Sequence, residues 1–148
     1  MLAVGLLFGA TACVATPDAV EEASAYAAVI RWFVADRDPQ APVFLDGRDD
    51  TEIDLAVQAE VVRLLEDYET VRFIDAVNEA VEESLPGLPV REDGVFLRLG
   101  ALNANGTAWV RVDRYLTEEE AISYRFTLER QGDSWILEDP PELLQSSD

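Results

Sequence analysis

The chain has 148 residues, the length of one ordinary domain, and 49% of them are hydrophobic, so it can bury a core of its own. Its 11 basic residues, all of them arginine, stand against 30 acidic ones and give a net charge of −19. A chain this acidic repels phosphate backbones and anionic membrane surfaces. The composition therefore argues against a nucleic-acid partner, and it allows membrane attachment only through a covalent anchor.

The first fifteen residues, MLAVGLLFGATACVA, carry no charge. This run is too short for a transmembrane helix, which needs about 20 residues. It fits the apolar region of a signal peptide, and Ala10-Thr11-Ala12 supplies the small residues of a cleavage site. Cleavage there would remove residues 1–12 and leave Cys13, the single cysteine, as the first residue of the mature chain.

An apolar run, small residues, a cysteine and a short tether (residues 13–17) together resemble the lipobox of bacterial prolipoproteins. The resemblance covers residues 1–17. It departs from the family at Ala10, where leucine is preferred, and in lacking a basic start. It implies that Cys13 is lipidated and that the protein is exported and held at the cell membrane or envelope.

Two other interpretations of Cys13 stay open. One is plain secretion, or release into a periplasm, with an unpaired thiol at the mature N-terminus. The other is a small buried cysteine within an ordinary helix. Under each of the three, a single cysteine excludes an intrachain disulfide, so the fold depends on its core.

Two amphipathic helices are predicted in the N-terminal half. The first begins at Thr16-Pro17-Asp18, because threonine can cap a helix and proline suits its first position. A capping box formed by Thr51 and Asp54 is expected to start the second. Their apolar faces are Ala23, Tyr26, Ala27, Ile30, Phe33 and Val34 in the first, and Leu55, Val57, Val61, Leu64, Leu65 and Tyr68 in the second.

Short apolar runs at residues 43–45 and 71–74 flank the second helix and are predicted strands. The segment between them is long enough for the crossover of a parallel pair. Asp75 is expected to cap a short third helix that ends near Glu83.

From residue 91 the apolar period changes from helical to two. Four strands are predicted, around residues 95–99, 107–116, 122–128 and 134–137, with Asn105-Gly106 as the turn of the first hairpin. Asp139-Pro140-Pro141 is expected to end the last strand and leave a polar tail.

The predicted fold class is α+β, with N-terminal helices packed on a mainly antiparallel sheet that ends in a four-strand meander. Residues 18–148 form one domain in this prediction. The ending AISYRFTLERQGDSWIL, residues 121–137, resembles the last hairpin of NTF2-like and cystatin-like domains. That resemblance implies a curved sheet closing over helices around a pocket. The strand-helix-strand unit departs from the NTF2 pattern, and the chain equally resembles small secreted α+β domains of unassigned function.

Most familiar catalytic machinery is missing from the sequence. Without histidine there is no Ser-His or Cys-His pair, and no phosphate-loop or dinucleotide motif occurs. The acidic run Asp46, Asp49, Asp50, Glu52 and Asp54 does not fit a calcium-binding EF-hand loop, because Leu55 and Val61 occupy the positions of its glycine and glutamate. We therefore predict no catalytic residue, no metal and no cofactor, with Asp75 as the best-placed single acid if carboxylate chemistry exists.

Arginines fall on three successive meander strands, each out of phase with the aliphatic residues of its strand. They are Arg98, Arg111 and Arg125, and Trp109 shares the phase of Arg111. Guanidinium groups suit carboxylate or phosphate ligands, so these four residues form the predicted ligand-binding face. The alternative is cross-strand ion pairing with Asp113 and Glu129.

The sequence thus predicts a lipid-anchored or secreted domain of the cell envelope that binds a protein or a small anionic ligand without catalysis. Two alternatives remain. One is an NTF2-like pocket domain in which buried carboxylates perform acid/base chemistry. The other is a structural accessory lipoprotein with no small ligand.

Overall fold

The computed structural model describes residues 17–68, 70–104 and 107–144. Its two α-helices and seven β-strands confirm the predicted α+β class. In chain order they are α1 (Pro17–Val34), β1 (Val43–Gly47), α2 (Leu55–Leu64), β2 (Val71–Phe73), β3 (Val95–Leu99), β4 (Ala108–Thr117), β5 (Glu120–Gln131), β6 (Ser134–Leu137) and β7 (Glu142–Leu144).

All seven strands belong to one mixed sheet. Its order is β2-β1-β3-β4-β5-β6, and β7 pairs with β5 beside β6. The parallel pairing of β1 with β2 confirms the predicted strand-helix-strand unit. β1 is also parallel to β3, while β3 to β6 form the predicted antiparallel meander.

Both helices cover one face of the sheet, which we call the helix-covered face. The predicted inner face of α1 is buried throughout, and Val57, Val61 and Leu65 are buried in and just after α2. They pack against alternate strand residues, namely Val43, Leu45, Val95, Leu97, Leu99, Val110, Val112, Phe126 and Leu128. Tyr26 ties α1 to the sheet, since its hydroxyl donates a 2.8 Å hydrogen bond to the Gly100 carbonyl.

The opposite face is covered over only part of its area. Residues 74–94 fold across the β1, β3 and β4 end of this face and bury a second, smaller apolar cluster. Its members are Phe44, Ile74, Ala80, Val81, Phe96 and Tyr115. The Tyr115 hydroxyl fastens the covering segment by donating a 2.8 Å hydrogen bond to the Leu88 carbonyl.

Two predicted helix starts were wrong. Instead of a helix from Asp75 to Glu83, the chain forms a single 3-10 turn at Val77–Glu79 and then a bridge between Val81 and Val90. The Glu79 carboxylate accepts hydrogen bonds from the backbone N–H groups of Asp75 and Ala76, at 2.7 and 2.8 Å. These bonds lower the pKa of Glu79, so glutamate rather than aspartate organises this turn.

The Thr51–Asp54 capping box was also wrong. α2 begins at Leu55, and Asp54 at its N-cap makes no side-chain capping hydrogen bond. The predicted inner residue Leu55 is 80% exposed, because it lies about 200° around the helix from the buried Val57.

The C-terminal prediction missed a strand. Beyond the two prolines, β7 pairs with residues 123–125 of β5. The predicted Asn105-Gly106 turn lies outside the described residues.

Candidate functional site

Strand alternation places the four predicted ligand residues on the sheet face opposite the helices. Their strand neighbours Leu97, Leu99, Val110 and Val112 point into the main core. Arg111 lies directly opposite Arg125 across β4 and β5, and Trp109 lies opposite Thr127. Arg98 is one strand further away, in register with Asp113. We call Arg98, Trp109, Arg111 and Arg125 the arginine face.

Two of the arginines stack on aromatic rings of this face. The Arg125 guanidinium carbon lies 4.2 Å from the centre of the Trp109 ring, and that of Arg98 lies 5.3 Å from the centre of the Phe96 ring. Stacking of this kind holds a guanidinium group flat and leaves its N–H edge free to donate. In the part of the chain that the structure describes, no hydrogen bond or ion pair uses the Arg125 side chain.

Asp113 is the acidic centre of the site, and its side chain is only 19% exposed. Its Oδ2 accepts a 2.8 Å hydrogen bond from Arg48 Nε, and its Oδ1 accepts one of 2.7 Å from Ser123 Oγ. Arg111 Nε lies 3.6 Å from the same Oδ1. One carboxylate therefore faces two arginines at close range.

Arg111 is only partly satisfied by these neighbours. Its Nη2 donates a 3.3 Å hydrogen bond to Ser123 Oγ. Its Nε is buried yet has no hydrogen-bond partner among the described residues. Since guanidinium has five N–H donors, Arg111 and Arg125 together retain donors for an added acceptor.

The structure thus brings together three of the four predicted ligand residues. Trp109, Arg111 and Arg125 form one patch, whereas Arg98 lies across Asp113 and lines a separate groove with Leu88 and Tyr115. The predicted alternative of cross-strand ion pairing is not found for either acid in the described part of the chain. Asp113 forms its ion pairs with Arg111 on its own strand and with Arg48 beyond β1, and none with Arg98 across the strands. Glu129 is in register with Ile136 and enters none of the ion pairs found among the described residues.

Sequence reasoning missed Arg48. This residue lies in the loop after β1, and its backbone N–H donates a 2.8 Å hydrogen bond to the Leu99 carbonyl. The bond brings its side chain beside Asp113, 65 positions away in the chain. Within the acidic run around it, no local pattern indicates this long-range contact.

No Asp or Glu is fully buried in the described ranges. The pKa of Glu22 is raised, chiefly by partial burial and further by the charge of Asp54, while the nearby Tyr26 hydroxyl acts in the opposite direction. Asp75 and three other acids, Asp46, Glu52 and Asp54, line an open cleft of about 460 Å³ at the carboxyl ends of β1 and β2. No three potential metal ligands come together within residues 17–68, 70–104 and 107–144.

Among the described helices, none has both the length and the apolar character that crossing a membrane requires. Cys13 and the predicted signal peptide, residues 1–12, lie outside the described residues, and Pro17 of the predicted tether is already part of α1.

Comparison with known protein families, with curated proteins and with solved structures gives no match to this chain.

Proposed function

We propose that this chain is a non-enzymatic binding module of the cell envelope, held at a membrane by a lipid on Cys13, and that the arginine face binds an anionic group of its ligand. The observation that carries the proposal is the direct pairing of Arg111 with Arg125 across β4 and β5. Like charges directly opposite one another destabilise a sheet. A bound anion would remove that repulsion.

The Arg111–Arg125 pair is unusual because the chain has many acidic residues that could have neutralised it. Acids outnumber arginines almost three to one, with 30 against 11, and ordinary pairing could have neutralised every guanidinium group. On the arginine face, Asp113 is shared between Arg48 and Arg111, and Arg125 stacks on Trp109. Glu142 is in register with Arg125 on β7 but forms none of the ion pairs seen among the described residues.

The binding part of the proposal is tested by titrating the protein with sodium acetate while the backbone amide shifts of residues 109–113 and 123–127 are followed by NMR. We expect saturable shifts centred on Arg111 and Arg125. Arg111→Ala should abolish them without unfolding the domain, because the Arg111 side chain is 38% exposed. Arg63→Ala removes the same charge from an exposed position on α2 and is the matched control. If Arg111→Ala still binds acetate as the wild type does, the site is wrongly placed.

The anchor is tested separately. We expect the intact mass of the native protein from a membrane fraction to correspond to a chain that starts at Cys13 and carries acyl groups. Cys13→Ala should lose the added mass and leave the membrane. An unmodified chain that keeps residues 1–12 and is found in the soluble fraction would remove the anchor and the envelope location together.

A further inference from the structure

Strand β6 forms an open edge of the sheet. Among the described residues it pairs with β5 alone, and no strand lies on its other side. The backbone N–H of Glu138 donates a 2.9 Å hydrogen bond to the Thr127 carbonyl, which fixes the alternation of the antiparallel ladder. Every second residue therefore bonds to β5, whereas the N–H and C=O groups of Trp135 and Leu137 point outward from the sheet.

Helix α1 holds this edge in a fixed position. Trp135 Nε1 donates a 3.1 Å hydrogen bond to the Glu21 carbonyl, and Leu137 packs against the main core. After Glu138 the edge is interrupted by two prolines, which cannot donate to a ladder, before β7 begins at Glu142. The open edge is therefore the segment 134–138, and its backbone groups are already ordered for another strand.

The side chains around this edge combine one apolar residue with several acids. Ile136 is 43% exposed. Glu129 lies opposite it on β5, Glu138 follows two residues along β6 on the same sheet face, and Asp133 lies in the turn before β6. These three acids are exposed and enter none of the ion pairs found among the described residues. Arg130, the one arginine in this stretch, is already paired with a glutamate of α1.

We propose that the β6 edge binds an extended, cationic segment of a partner protein as an added strand. The outward backbone groups of Trp135 and Leu137 would form the ladder, as in other cases of strand addition. An apolar side chain of the partner would lie beside Ile136. Lysine or arginine two positions to either side would lie beside Glu138 and the turn that contains Asp133.

Charge favours such a partner over a second copy of this chain. Two chains with a net charge of −19 each repel one another, and pairing β6 with a second β6 would bring the same acids together. A cationic strand is attracted by these acids instead. This inference concerns a different surface from the arginine face and does not depend on it.

The test is an NMR titration of the full-length protein with the capped heptapeptide TRTVTRT. We expect saturable shifts of the backbone amides of residues 134–138. Hydrogen exchange gives a second readout, because the amides of Trp135 and Leu137 are free only in unbound protein. At a peptide concentration of ten times the dissociation constant, their exchange should slow about tenfold.

Methylation of the peptide backbone separates strand pairing from simple charge attraction. The N–H groups of successive residues face opposite sides of a strand. One peptide is methylated at the nitrogens of the two threonines next to valine, and the other at those of valine and one arginine. Only one of them should lose binding, and its identity reports whether the added strand is antiparallel or parallel. Equal effects of the two methylation patterns would overturn strand addition.

Side-chain changes test the chemistry of the partner. The acidic analogue TETVTET should bind at least about tenfold more weakly than TRTVTRT, and equal binding would overturn the cationic partner. Ile136→Ala should weaken binding of TRTVTRT about threefold to fivefold, and Glu138→Gln about threefold, less at high salt. Glu66→Gln removes the same charge from an exposed position after α2 and should leave binding unchanged.

Two further outcomes separate this inference from its alternatives. Protection of the Trp135 and Leu137 amides that rises with protein concentration, without peptide, would show that a second copy occupies the edge and overturn the assigned partner. Arg111→Ala should bind TRTVTRT as the wild type does, and a loss there would place the peptide elsewhere. Loss of acetate binding alone contradicts only the proposed function, and absence of peptide binding alone contradicts only this inference.

Discussion

The helix-covered face of the sheet and the face opposite it share the same strands, yet their chemistry differs. On the helix-covered face an apolar core runs from β1 to β6 under two helices. On the opposite face the cover stops after the Phe44 and Phe96 cluster, and the sheet beyond it presents arginines, Trp109 and Asp113. The boundary between apolar and charged residues coincides with the edge of the covering segment, residues 74–94.

This difference shows that a strand residue is buried where a helix or residues 74–94 lie over it. β4 and β5 run through both environments. Their helix-facing residues from Ala108 to Val112 and from Ile122 to Leu128 are apolar. On their other side Tyr115 is buried under residues 74–94, whereas Trp109, Arg111 and Asp113 lie beyond that cover and are half-buried. A sheet face that carries organised charge and no cover is available to a ligand.

The largest expected effect tests whether a side chain buried under residues 74–94 contributes as much to the free energy of unfolding as one buried under the helices. Phe126 is fully buried on the helix-covered face, with its ring centre 5.4 Å from those of Trp32 and Phe33. Phe126→Ala should lower the free energy of unfolding by about 3–5 kcal/mol in a urea titration. Phe96→Ala, under the covering segment on the other face, should cost about as much.

Should Phe126→Ala fail to fold, Phe126→Leu, with an expected cost under about 1.5 kcal/mol, keeps the measurement possible. A cost for Phe96→Ala below about 1.5 kcal/mol would contradict the comparison, since residues 74–94 would then not act as a firm cover.

A smaller effect concerns Tyr26, which ties α1 to the sheet, and Tyr115, which fastens residues 74–94 over the opposite face. Burial, followed by the nearby Glu22 carboxylate, raises the pKa of Tyr26 well above its usual range. Burial also raises the pKa of Tyr115, with Glu118 as the next cause. Because the folded pKa values are raised, the native state holds these protons more tightly than the unfolded chain. The stabilisation that the two tyrosines contribute in this way is present below about pH 10 and is lost as the pH rises further.

We expect the free energy of unfolding to fall above pH 10, by up to about 1.4 kcal/mol per pH unit for each such tyrosine. The chain has no lysine, so no lysine titration overlaps this range. Tyr26→Phe should cost about 1 kcal/mol at pH 7, through the lost hydrogen bond to Gly100, and should make the alkaline loss shallower. An unchanged alkaline profile in Tyr26→Phe would show that this hydroxyl is not the responsible group.

How far the sequence predicts this molecule can be judged from the same two faces. Periodicity predicted α1, the β1-α2-β2 unit and the meander, because those patterns are local. The phase of Arg98, Arg111 and Arg125 correctly placed them on the face opposite the aliphatic residues of their strands.

Apart from the local Thr51–Asp54 capping box, the failures involve contacts between distant parts of the chain. Residues 75–83 form a turn because Val81 pairs with Val90 and residues 74–94 must lie over the sheet. Arg48 meets Asp113 only because β1 lies beside β3. Such pairings leave no periodic signal in a single sequence, so the strand arginines and their neighbour Asp113 could be predicted, but Arg48 could not.

A stability effect of similar size is expected at Asp113, where stability and binding should change in opposite directions. Asp113→Asn removes the charge that faces Arg48 and Arg111 and should cost about 1–2 kcal/mol, less at high salt, because both arginines are partly exposed. The same change leaves the arginine face more positive, so acetate should bind about threefold more tightly. Asp133→Asn, in the exposed turn between β5 and β6, should alter neither quantity. If Asp113→Asn weakened acetate binding, the carboxylate would be needed to position Arg111 for the ligand, and its role as a competitor for Arg111 would be wrong.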